Sequence, residues 1–384
     1  MALRVRTVTN QHEWSPILQD RYLDAMRIVL LAASSSVHVL RWANAMAERG
    51  HEVHLVSQHV PIPGFHEGIR THRLPFSGVA GYLLNGPSFQ TLLRRIRPDV
   101  VNAHYATGYG TLARWTGPFP LVINVWGSDV FEFPDQGPLH KSWLLGNLRR
   151  ARHLISTSAF MARRTASLAL DLPPLSMVPF GVDCERFSPA DPKHNADPLV
   201  IGTVKTLAPK YGIDTLLRAF RLVMARRPEV RLRIVGGGPE ELALKALAGQ
   251  IGIAEQVDFT LSVQHTDVPD ALRGMDIFVA LSRADSETFG VAVIEASACG
   301  LPVVVSDAGG LPEVVVDGVT GHVVRRDDPQ AAADRILELI ASPELRLSMG
   351  RSGREHVLAQ YEWSSCVDRQ IAVFDRVISS GGTT

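Results

Sequence analysis

The chain has few cysteines, no excess of charge of either sign and no long apolar run, and each of these absences excludes a class of protein. Only three of its 384 residues are cysteines, Cys184, Cys299 and Cys366, and they lack the spacing of a metal site. Three widely separated cysteines fit a reducing, cytoplasmic setting. Basic and acidic residues number 39 each, which argues against a general nucleic-acid-binding protein.

The most apolar segment near the N-terminus is IVLLAA at 28–33, which is too short to span a membrane. It follows Met26 and Arg27, as the apolar part of a signal peptide follows a basic residue. A helical pattern and a second apolar strand come directly after it, however, so we predict a buried strand. The first 25 residues are polar and without pattern, and they form an extension if Met26 rather than Met1 is the natural start.

The apolar pattern divides the rest of the chain into two α/β halves. A strand at 27–33, a helix at 38–48 and a strand at 51–57 form a unit that requires parallel strands. After a polar, proline-containing segment at 187–198 the same rhythm restarts. A ligand is expected in the cleft between the halves, outside the carboxyl ends of the strands. The predicted units are one domain at 1–190, a second at 191–365, and a helix at 366–384 that packs back on the first domain.

The segment SETFGVAVIEASACGLPVVVS at 286–306 places Glu287 and Glu295 on either side of the start of a predicted helix. Gly290 leads into this helix, so its first-turn N–H groups point into the cleft and, with the helix dipole, form an anion site. Glu295 lies more than one turn along the helix, too far to cap it, and is placed to accept two neighbouring hydroxyls such as those of a ribose. Glu287 lies before the helix, on the side of the group beyond the phosphates.

Lys205 and Lys210, in GTVKTLAPKYGID at 202–214, supply the cations that a diphosphate requires. They follow a predicted strand of the second half and can approach one pyrophosphate from different sides. Position in the loop favours Lys210 over Lys205. No Asp-x-Asp pair occurs in a comparable loop, so we predict that the lysines, and no metal ion, hold the charge of the leaving group.

These residues carry a family resemblance. ETFGVAVIEASACGLPVV resembles the E-x7-E signature of retaining glycosyltransferases with the GT-B fold, in the large family numbered four, group 1. The two-lysine loop, IVGGGPEE, VPDALRGMDIFVALS and VPFGVDCERFSP match other family landmarks in the expected order. The resemblance extends from about Met26 to the YEW at 361–363. It implies an α/β fold of two tandem Rossmann-like domains whose parallel sheets face a central cleft, the first domain on the acceptor side and the second binding the nucleotide-sugar.

The resemblance also implies an activity. The chain would be a hexosyltransferase that moves a sugar from a nucleotide-diphosphate-sugar, a UDP- or GDP-sugar above all, to a hydroxyl acceptor in glycan, polysaccharide or small-molecule glycoside biosynthesis. The acceptor would attack the face that the diphosphate leaves, and the departing phosphate would take its proton. Neither glutamate is then a nucleophile, and no cofactor, metal or nucleic acid takes part.

Site residues follow from the same resemblance. The donor sugar would be held by Glu287 with the N–H groups of Phe289 and Gly290, and the ribose by Glu295. The N–H of Val291 would join the two lysines at the diphosphate. The base would contact the backbone near 261–263, which includes Ser262.

The chain departs from the family pattern at two first-domain positions. Relatives carry glycines in the loop that approaches the diphosphate, whereas this chain has serines at 34–36, and the Ser36 hydroxyl is the predicted substitute. Trp126 stands where many relatives have a histidine assigned to the reacting sugar; it either packs in the core or stacks on a sugar ring at the acceptor side. His104 and Asp129 then become the catalytic candidates that face the acceptor. Asp129 can equally cap the segment that follows it.

Other interpretations stay open on the sequence alone. A nucleotide-sugar 2-epimerase would bind the same donor without an acceptor, a glycan phosphorylase would require pyridoxal phosphate, and a decayed module would bind the donor without turnover. The segment at 141–154 mixes apolar and basic residues, as a helix on a membrane surface does. A helix beneath the sheet with its arginines in solvent is the simpler interpretation, so a lipid-linked acceptor and a peripheral membrane contact remain alternatives.

Overall fold

The computed structural model describes residues 25–190, 198–260 and 262–380. The predicted α/β class with two parallel sheets is confirmed. The first sheet pairs its strands in the order β3-β2-β1-β4-β5-β6-β7 and the second in the order β10-β9-β8-β11-β12-β13. The strands are β1 Arg27–Leu31, β2 Glu52–Ser57, β3 Arg70–Arg73, β4 Val100–His104, β5 Leu121–Val125, β6 His153–Ser156, β7 Leu175–Met177, β8 Val200–Val204, β9 Arg231–Val235, β10 Val257–Thr260, β11 Ile277–Ala280, β12 Val303–Ser306 and β13 Gly321–Val324.

Helices cover the faces of both sheets. None of the described helices combines the length and the apolar character needed to cross a membrane. They are α1 Val37–Glu48, α2 Gly78–Leu84, α3 Gly86–Ile96, α4 Gly108–Leu112, α5 Ser128–Phe131, α6 Pro138–Leu148, α7 Ala159–Ser167, α8 Ile213–Met224, α9 Glu241–Gln250, α10 Val268–Arg273, α11 Val291–Ala298, α12 Leu311–Val314, α13 Pro329–Ala341, α14 Pro343–Gln360 and α15 Trp363–Ser379.

The central strands form because they are short apolar runs buried on both faces, as parallel strands between two helical layers must be. The β1 residues 28–31 are all buried. The edge strands β3 and β7 have no counterpart among the predicted strands. RTHR is charged and LSM has only three residues, so neither shows the apolar run that marks the centre of a sheet.

The last helix, α15, lies against the first sheet. Its buried face, which includes Cys366, Ile371 and Phe374, joins the apolar cluster of Val39 and Met46 from α1. The chain therefore leaves the second sheet and returns to the first. As a consequence, a residue near the C-terminus can contact the strands of the first domain.

Both sheets have the strand order of a doubly wound fold, in which the chain reverses direction at one central point. That point lies between β1 and β4 in the first sheet and between β8 and β11 in the second. A crevice opens there at the carboxyl ends of the strands and is where such folds bind their ligands. The topology thus fixes two places at which functional side chains are expected.

Candidate active site

The sequence-predicted residues lie at these two crevices. Lys205 follows β8, and the loop at 281–290 follows β11. In the first sheet Ser36 lies between β1 and α1, and His104 is the last residue of β4. Residues that are far apart in the sequence therefore meet at these two crevices, one crevice in each domain.

The second-domain crevice contains an ion pair between Lys205 and Glu287. Lys205 Nζ lies 2.7 Å from Glu287 Oε2, and the two side chains are 16% and 10% exposed. The Ser282 hydroxyl donates to the same carboxylate oxygen at 3.3 Å. The ammonium groups of Lys205 and Lys210 lie 4.6 and 5.1 Å from the centre of the Tyr211 ring. Both lysines thus lie close to the Tyr211 ring, and Lys205 also forms the ion pair with Glu287.

Close glycine packing holds the loop that carries Glu287. Gly290 precedes α11 with a φ of 92°, a left-handed conformation that suits glycine. A Cβ at Gly309 would lie 2.1 Å from the Glu287 carbonyl oxygen, and the Gly310 N–H donates to that oxygen at 2.8 Å. A side chain at 309 would clash with the Glu287 carbonyl, so this packing of the loop requires glycine at that position. The Val293 N–H of α11 donates to the Gly290 carbonyl oxygen at 3.0 Å, whereas the N–H groups of Val291 and Ala292 come too early in the helix to have a partner within it.

Glu295 lies in the second turn of α11 and is buried. Its Oε1 is 3.2 Å from His265 Nε2, and the imidazole is about one-third exposed. The other oxygen is not part of this contact. A carboxylate held on one side by a histidine is suited to accept hydroxyl hydrogen bonds on the other.

The glycine run at 236–238 supports the lysine loop. A Cβ at Gly236 would lie 1.9 Å from the Lys205 carbonyl oxygen, so the two loops pack backbone to backbone. The Ser262 side chain is exposed beside Gly237, where a Cβ would come within 3.0 Å of its Oγ. Leu261, part of the predicted base-binding segment, lies outside the described residues.

The first-domain crevice is lined by neutral and aromatic groups around a cavity of about 320 Å³. His104 and Trp126 stack obliquely in its wall, with ring centres 4.8 Å apart. Burial lowers the pKa of His104 to about 3, so its imidazole is neutral at ordinary pH. The lining residues are Ala33, Val39, His59, Tyr82, His104, Tyr105, Thr107, Gly108, Tyr109 and Trp126.

Asp129 and Ser36 differ in how free their side chains are. The Asp129 carboxylate is buried and accepts the N–H groups of Ala106 and Gly127, both at 2.8 Å, and that of Trp126 at 3.2 Å. These N–H groups precede Asp129 or lie in the loop between β4 and α4, and α5 has no side-chain cap, so the carboxylate fixes the loop ahead of α5 and not the segment after it; its catalytic role stays a prediction. Ser36 precedes α1 without capping it through its side chain. Its hydroxyl is therefore not used by the helix that it begins.

The two crevices meet at the Trp126 loop. The Thr288 hydroxyl donates to the Trp126 carbonyl oxygen at 3.3 Å, and a Cβ at Gly127 would lie 3.2 Å from the Thr288 side chain. Phe180 lies between the two sides, with its ring centre 5.4 Å from that of Trp126 and 6.1 Å from that of Phe289. A ligand in one crevice therefore lies next to a ligand in the other.

Several residues of this arrangement have no signal in the sequence. His265 at Glu295, Ser282 at Glu287 and Tyr211 beneath the lysines become visible only when the loops are brought together. The continuous apolar run before Ser282 indicates only that a loop begins there. Within residues 25–190, 198–260 and 262–380, no group of three or more His, Cys, Asp or Glu side chains is arranged to hold a metal ion.

Comparison with known proteins gives the family. Residues 185–356 match the model for glycosyl transferases group 1, and residues 27–158 match that for glycosyl transferase 4-like proteins. A GDP-mannose-dependent alpha-(1-6)-phosphatidylinositol monomannoside mannosyltransferase of Mycolicibacterium smegmatis is 36% identical over 268 residues, 66% of this chain and 69% of that protein. The chain belongs to the group 1 glycosyltransferases of family four. The resemblance seen in the sequence is confirmed.

Two further similarities span most of this glycosyltransferase. A phosphatidyl-myo-inositol mannosyltransferase of Mycobacterium leprae is 29% identical over 363 residues, 90% of this chain and 93% of that protein. The solved structure of a sucrose-phosphate synthase from Thermosynechococcus elongatus is only 18% identical but superimposes with a TM-score of 0.76. That match covers 92% of this chain and all of the other, so the glycosyltransferase has the predicted GT-B fold.

Proposed function

We propose that this glycosyltransferase transfers mannose from GDP-mannose to a hydroxyl of an inositol-containing glycolipid, with retention of configuration and without a metal ion. The donor is taken from the Mycolicibacterium relative, and the acceptor class from both mannosyltransferase relatives. The observation that carries the metal-free part is the pair of lysines in this crevice: Lys205 pairs with Glu287, in the loop that leads into α11, and shares the Tyr211 ring with Lys210.

The diphosphate is the most highly charged part of the donor, and this crevice complements it. We place the diphosphate between the ammonium groups of Lys205 and Lys210 and the N-terminus of α11, each of which favours an anion. Glu295 binds the ribose hydroxyls with its free oxygen, while His265 holds the other. Glu287 is held by Lys205 and binds a hydroxyl of the mannose, assisted by the N–H groups of Phe289 and Gly290.

Retention follows if the acceptor hydroxyl attacks from the face that the diphosphate leaves. The bond between the mannose C1 and the β-phosphate oxygen breaks, the bond from C1 to the acceptor oxygen forms, and the departing phosphate takes the acceptor proton. Lys205 and Lys210 stabilise the charge that develops on the phosphate, as preorganised cations do in a water-poor site. Lys205 and Ser282 both contact Glu287 Oε2. The other oxygen, Oε1, is left to accept a sugar hydroxyl, and we assign Glu287 as a hydroxyl ligand and not as a nucleophile.

A lipid acceptor fits the outer surface of the first domain. The helices α2 and α6 both contact α4, and both expose large apolar side chains. The exposed side chains are Val79 and Leu83 on α2 and Leu139 and Trp143 on α6. Helix α6 also contains the first part of the apolar and basic segment at 141–154. Such a surface can rest at a bilayer without crossing it. Cosedimentation with phosphatidylinositol vesicles tests this: Val79→Ser with Leu139→Ser should lower binding, while Leu242→Ser on the second domain should not.

The reaction is tested by incubating the protein with GDP-mannose and phosphatidylinositol monomannoside in excess EDTA. The expected product carries one added mannose in the α configuration, as read by NMR of its anomeric carbon. A β-linked product would contradict retention, and loss of activity in EDTA that added Mg²⁺ restores would contradict metal independence. Incubation of GDP-mannose alone distinguishes a 2-epimerase, which would convert the donor without any acceptor.

A further inference from the structure

The two aromatic residues in the wall of the first-domain cavity each have a buried polar atom without a partner. Among the described residues, neither Trp126 Nε1 nor His104 Nδ1 makes a hydrogen bond. A buried polar group left unpaired is destabilising, so two of them in contacting rings at one cavity call for a ligand. The indole nitrogen can only donate a hydrogen bond. What His104 Nδ1 can do depends on its tautomer.

A buried amide network fixes that tautomer. Asn102 Nδ2 donates to Val122 O at 3.2 Å and to Asn124 Oδ1 at 2.7 Å, so both of its hydrogens are used. Asn102 Oδ1 is consequently an acceptor, and it lies 2.8 Å from His104 Nε2. The proton of the neutral imidazole is therefore on Nε2, and Nδ1 has a free lone pair.

The C-terminal helix completes the network. Gln370 of α15 is fully buried, and its Nε2 donates to Asn102 Oδ1 at 3.2 Å. Its Oε1 accepts from Asn124 Nδ2 at 3.3 Å. Gln370 thus closes a ring of three amides in which each orientation depends on the other two. This ring holds the Asn102 oxygen, and not its nitrogen, towards the histidine.

Trp126 Nε1–H and His104 Nδ1 are therefore a donor and an acceptor in adjacent rings. A single hydroxyl matches both, because its oxygen accepts from the indole while its hydrogen is donated to the imidazole. All ten residues that line the cavity belong to the first domain, whereas the charged groups proposed for the donor belong to the second. The hydroxyl is thus expected from the acceptor.

We infer that Trp126 and His104 bind one hydroxyl of the polyol acceptor and so contribute to acceptor specificity, and that Gln370 is a positioning residue that keeps His104 in the required tautomer. This inference rests on the proposed transfer to an inositol-type acceptor. At position 126, where many relatives carry a histidine, the indole N–H of Trp126 would thus bind a hydroxyl.

The first test is Trp126→Phe, which keeps an aromatic ring and removes the N–H. With GDP-mannose and phosphatidylinositol monomannoside, the KM for the acceptor should rise about tenfold or more, because a buried hydroxyl loses its donor. The affinity for GDP and the KM for GDP-mannose should not change. The matched control is Trp115→Phe, the same change at an exposed tryptophan of the same domain, which should leave all constants unaltered.

Three outcomes would overturn the inference. If the wild-type protein transfers mannose and Trp126→Phe leaves the KM for the acceptor unchanged, the indole does not bind the acceptor. If the KM for GDP-mannose rises in its place, the hydroxyl belongs to the donor. If the wild-type protein itself does not transfer mannose to this acceptor, the proposed function fails first and the inference fails with it.

Coupling between the two rings gives an independent check. If both bind the same hydroxyl, His104→Leu combined with Trp126→Phe should raise the KM for the acceptor little more than either change alone. Additive losses would mean two separate hydroxyls or none. Folding of each variant is compared by its thermal midpoint.

The role of Gln370 is read from the histidine itself. In protein labelled with ¹⁵N-histidine, the His104 ring should show a protonated Nε2 and a bare Nδ1 from pH 6 to pH 8. Gln370→Met removes the donor that orients Asn102, and the His104 signals should shift towards the other tautomer while the KM for the acceptor rises. An unchanged tautomer in this variant would reduce Gln370 to a packing residue and overturn its assignment. A bare Nε2 in the wild-type protein would overturn the whole inference.

Discussion

The two crevices of this glycosyltransferase have the same topology and opposite chemistry. Each opens where a doubly wound sheet reverses direction, between β1 and β4 or between β8 and β11. The second-domain crevice contains two lysines and two glutamates, with Lys205 and Glu287 only 2.7 Å apart. The first-domain crevice is lined by aromatic and neutral polar groups, with His104 deprotonated by burial. The same fold thus provides one site for a charged ligand and one for an uncharged ligand.

This difference indicates how a two-substrate enzyme keeps its substrates apart. A diphosphate in the first crevice would find no cation among the lining residues, and burial there would be costly. A polyol in the second crevice would provide no anion for Lys210, whereas Lys205 is already paired with Glu287. In the proposed reaction, donor and acceptor would therefore be discriminated by local electrostatics in each domain, and the Trp126 loop would bring the two ligands together.

The largest effect is expected when the charged crevice loses its central pair. Lys205→Ala removes a cation from the proposed diphosphate site and leaves the buried Glu287 with the Ser282 hydroxyl but no cation, so kcat/KM should fall about 100- to 1000-fold. Steady-state kinetics with GDP-mannose measure it. Lys245→Ala is the control, because that lysine pairs with Glu241 at the surface. Similar kinetics for both variants would remove Lys205 from the site.

The neutral crevice predicts a dependence of stability on pH. Burial, assisted by Arg41 and His265, lowers the pKa of His38 to about 4, and burial with the nearby His38 lowers that of His104 to about 3. As the pH falls below about 6.5, the two histidines are protonated in the unfolded state but stay neutral in the folded state. The free energy of unfolding is therefore highest above that pH and decreases as the pH falls. From pH 7 to pH 5 the free energy of unfolding should drop by about 2 kcal/mol for each histidine.

Urea denaturation at the two pH values measures that drop. His38→Phe should make it about 2 kcal/mol smaller than in the wild-type protein. His66→Phe, at an exposed histidine, is the control and should leave the pH dependence unaltered. If His38→Phe also leaves it unaltered, His38 is not held neutral and the crevice is less apolar than described.

A smaller effect is expected at the nucleoside end of the charged crevice. Glu295→Gln replaces a charged acceptor by a neutral one, which should weaken GDP binding by about tenfold. The loss should be less for 2′-deoxy-GDP, because one hydroxyl partner is already missing. Equal losses for the two nucleotides, measured by calorimetry, would separate Glu295 from the ribose.

Lys210→Ala distinguishes the phosphate end from the nucleoside end. Its ammonium should contribute about 1–2 kcal/mol to the binding of GDP through charge-assisted hydrogen bonds and nothing to that of guanosine. Competition binding with both compounds measures this. Guanosine and GDP affinities that fall together would place Lys210 away from the diphosphate.

The least effect is expected at the ion pair that joins the domains. Arg163 Nη2 lies 3.1 Å from Glu313 Oε1, with side chains 70% and 24% exposed. Arg163→Ala should therefore change the free energy of unfolding by no more than about 1 kcal/mol. Glu313→Ala should cost more, because this carboxylate also accepts the Ala159 N–H at 2.8 Å at the start of α7. Equal costs for the two variants would mean that the ion pair dominates.

Much of the charged crevice could be predicted from the sequence, and little of the neutral one. Glu287, Glu295 and Lys205 lie in short motifs that follow apolar strands, so their positions come from local pattern. The His104 network depends on Gln370, which lies more than 260 residues away and is brought in by a returning helix. No local pattern records such a contact. The sequence left two roles for Asp129, and its hydrogen bonds to the Ala106 and Gly127 N–H groups show that it fixes the loop ahead of α5, which neither role described.

The most direct test of this account is the calorimetric titration of GDP, in EDTA, into the wild-type protein, Lys205→Ala and Trp126→Phe. The account predicts that the wild-type protein binds GDP without a metal, that Lys205→Ala binds it about 100-fold more weakly, and that Trp126→Phe binds it as the wild-type protein does. Loss of GDP affinity in Trp126→Phe, or none in Lys205→Ala, would contradict the division of donor and acceptor between the two crevices.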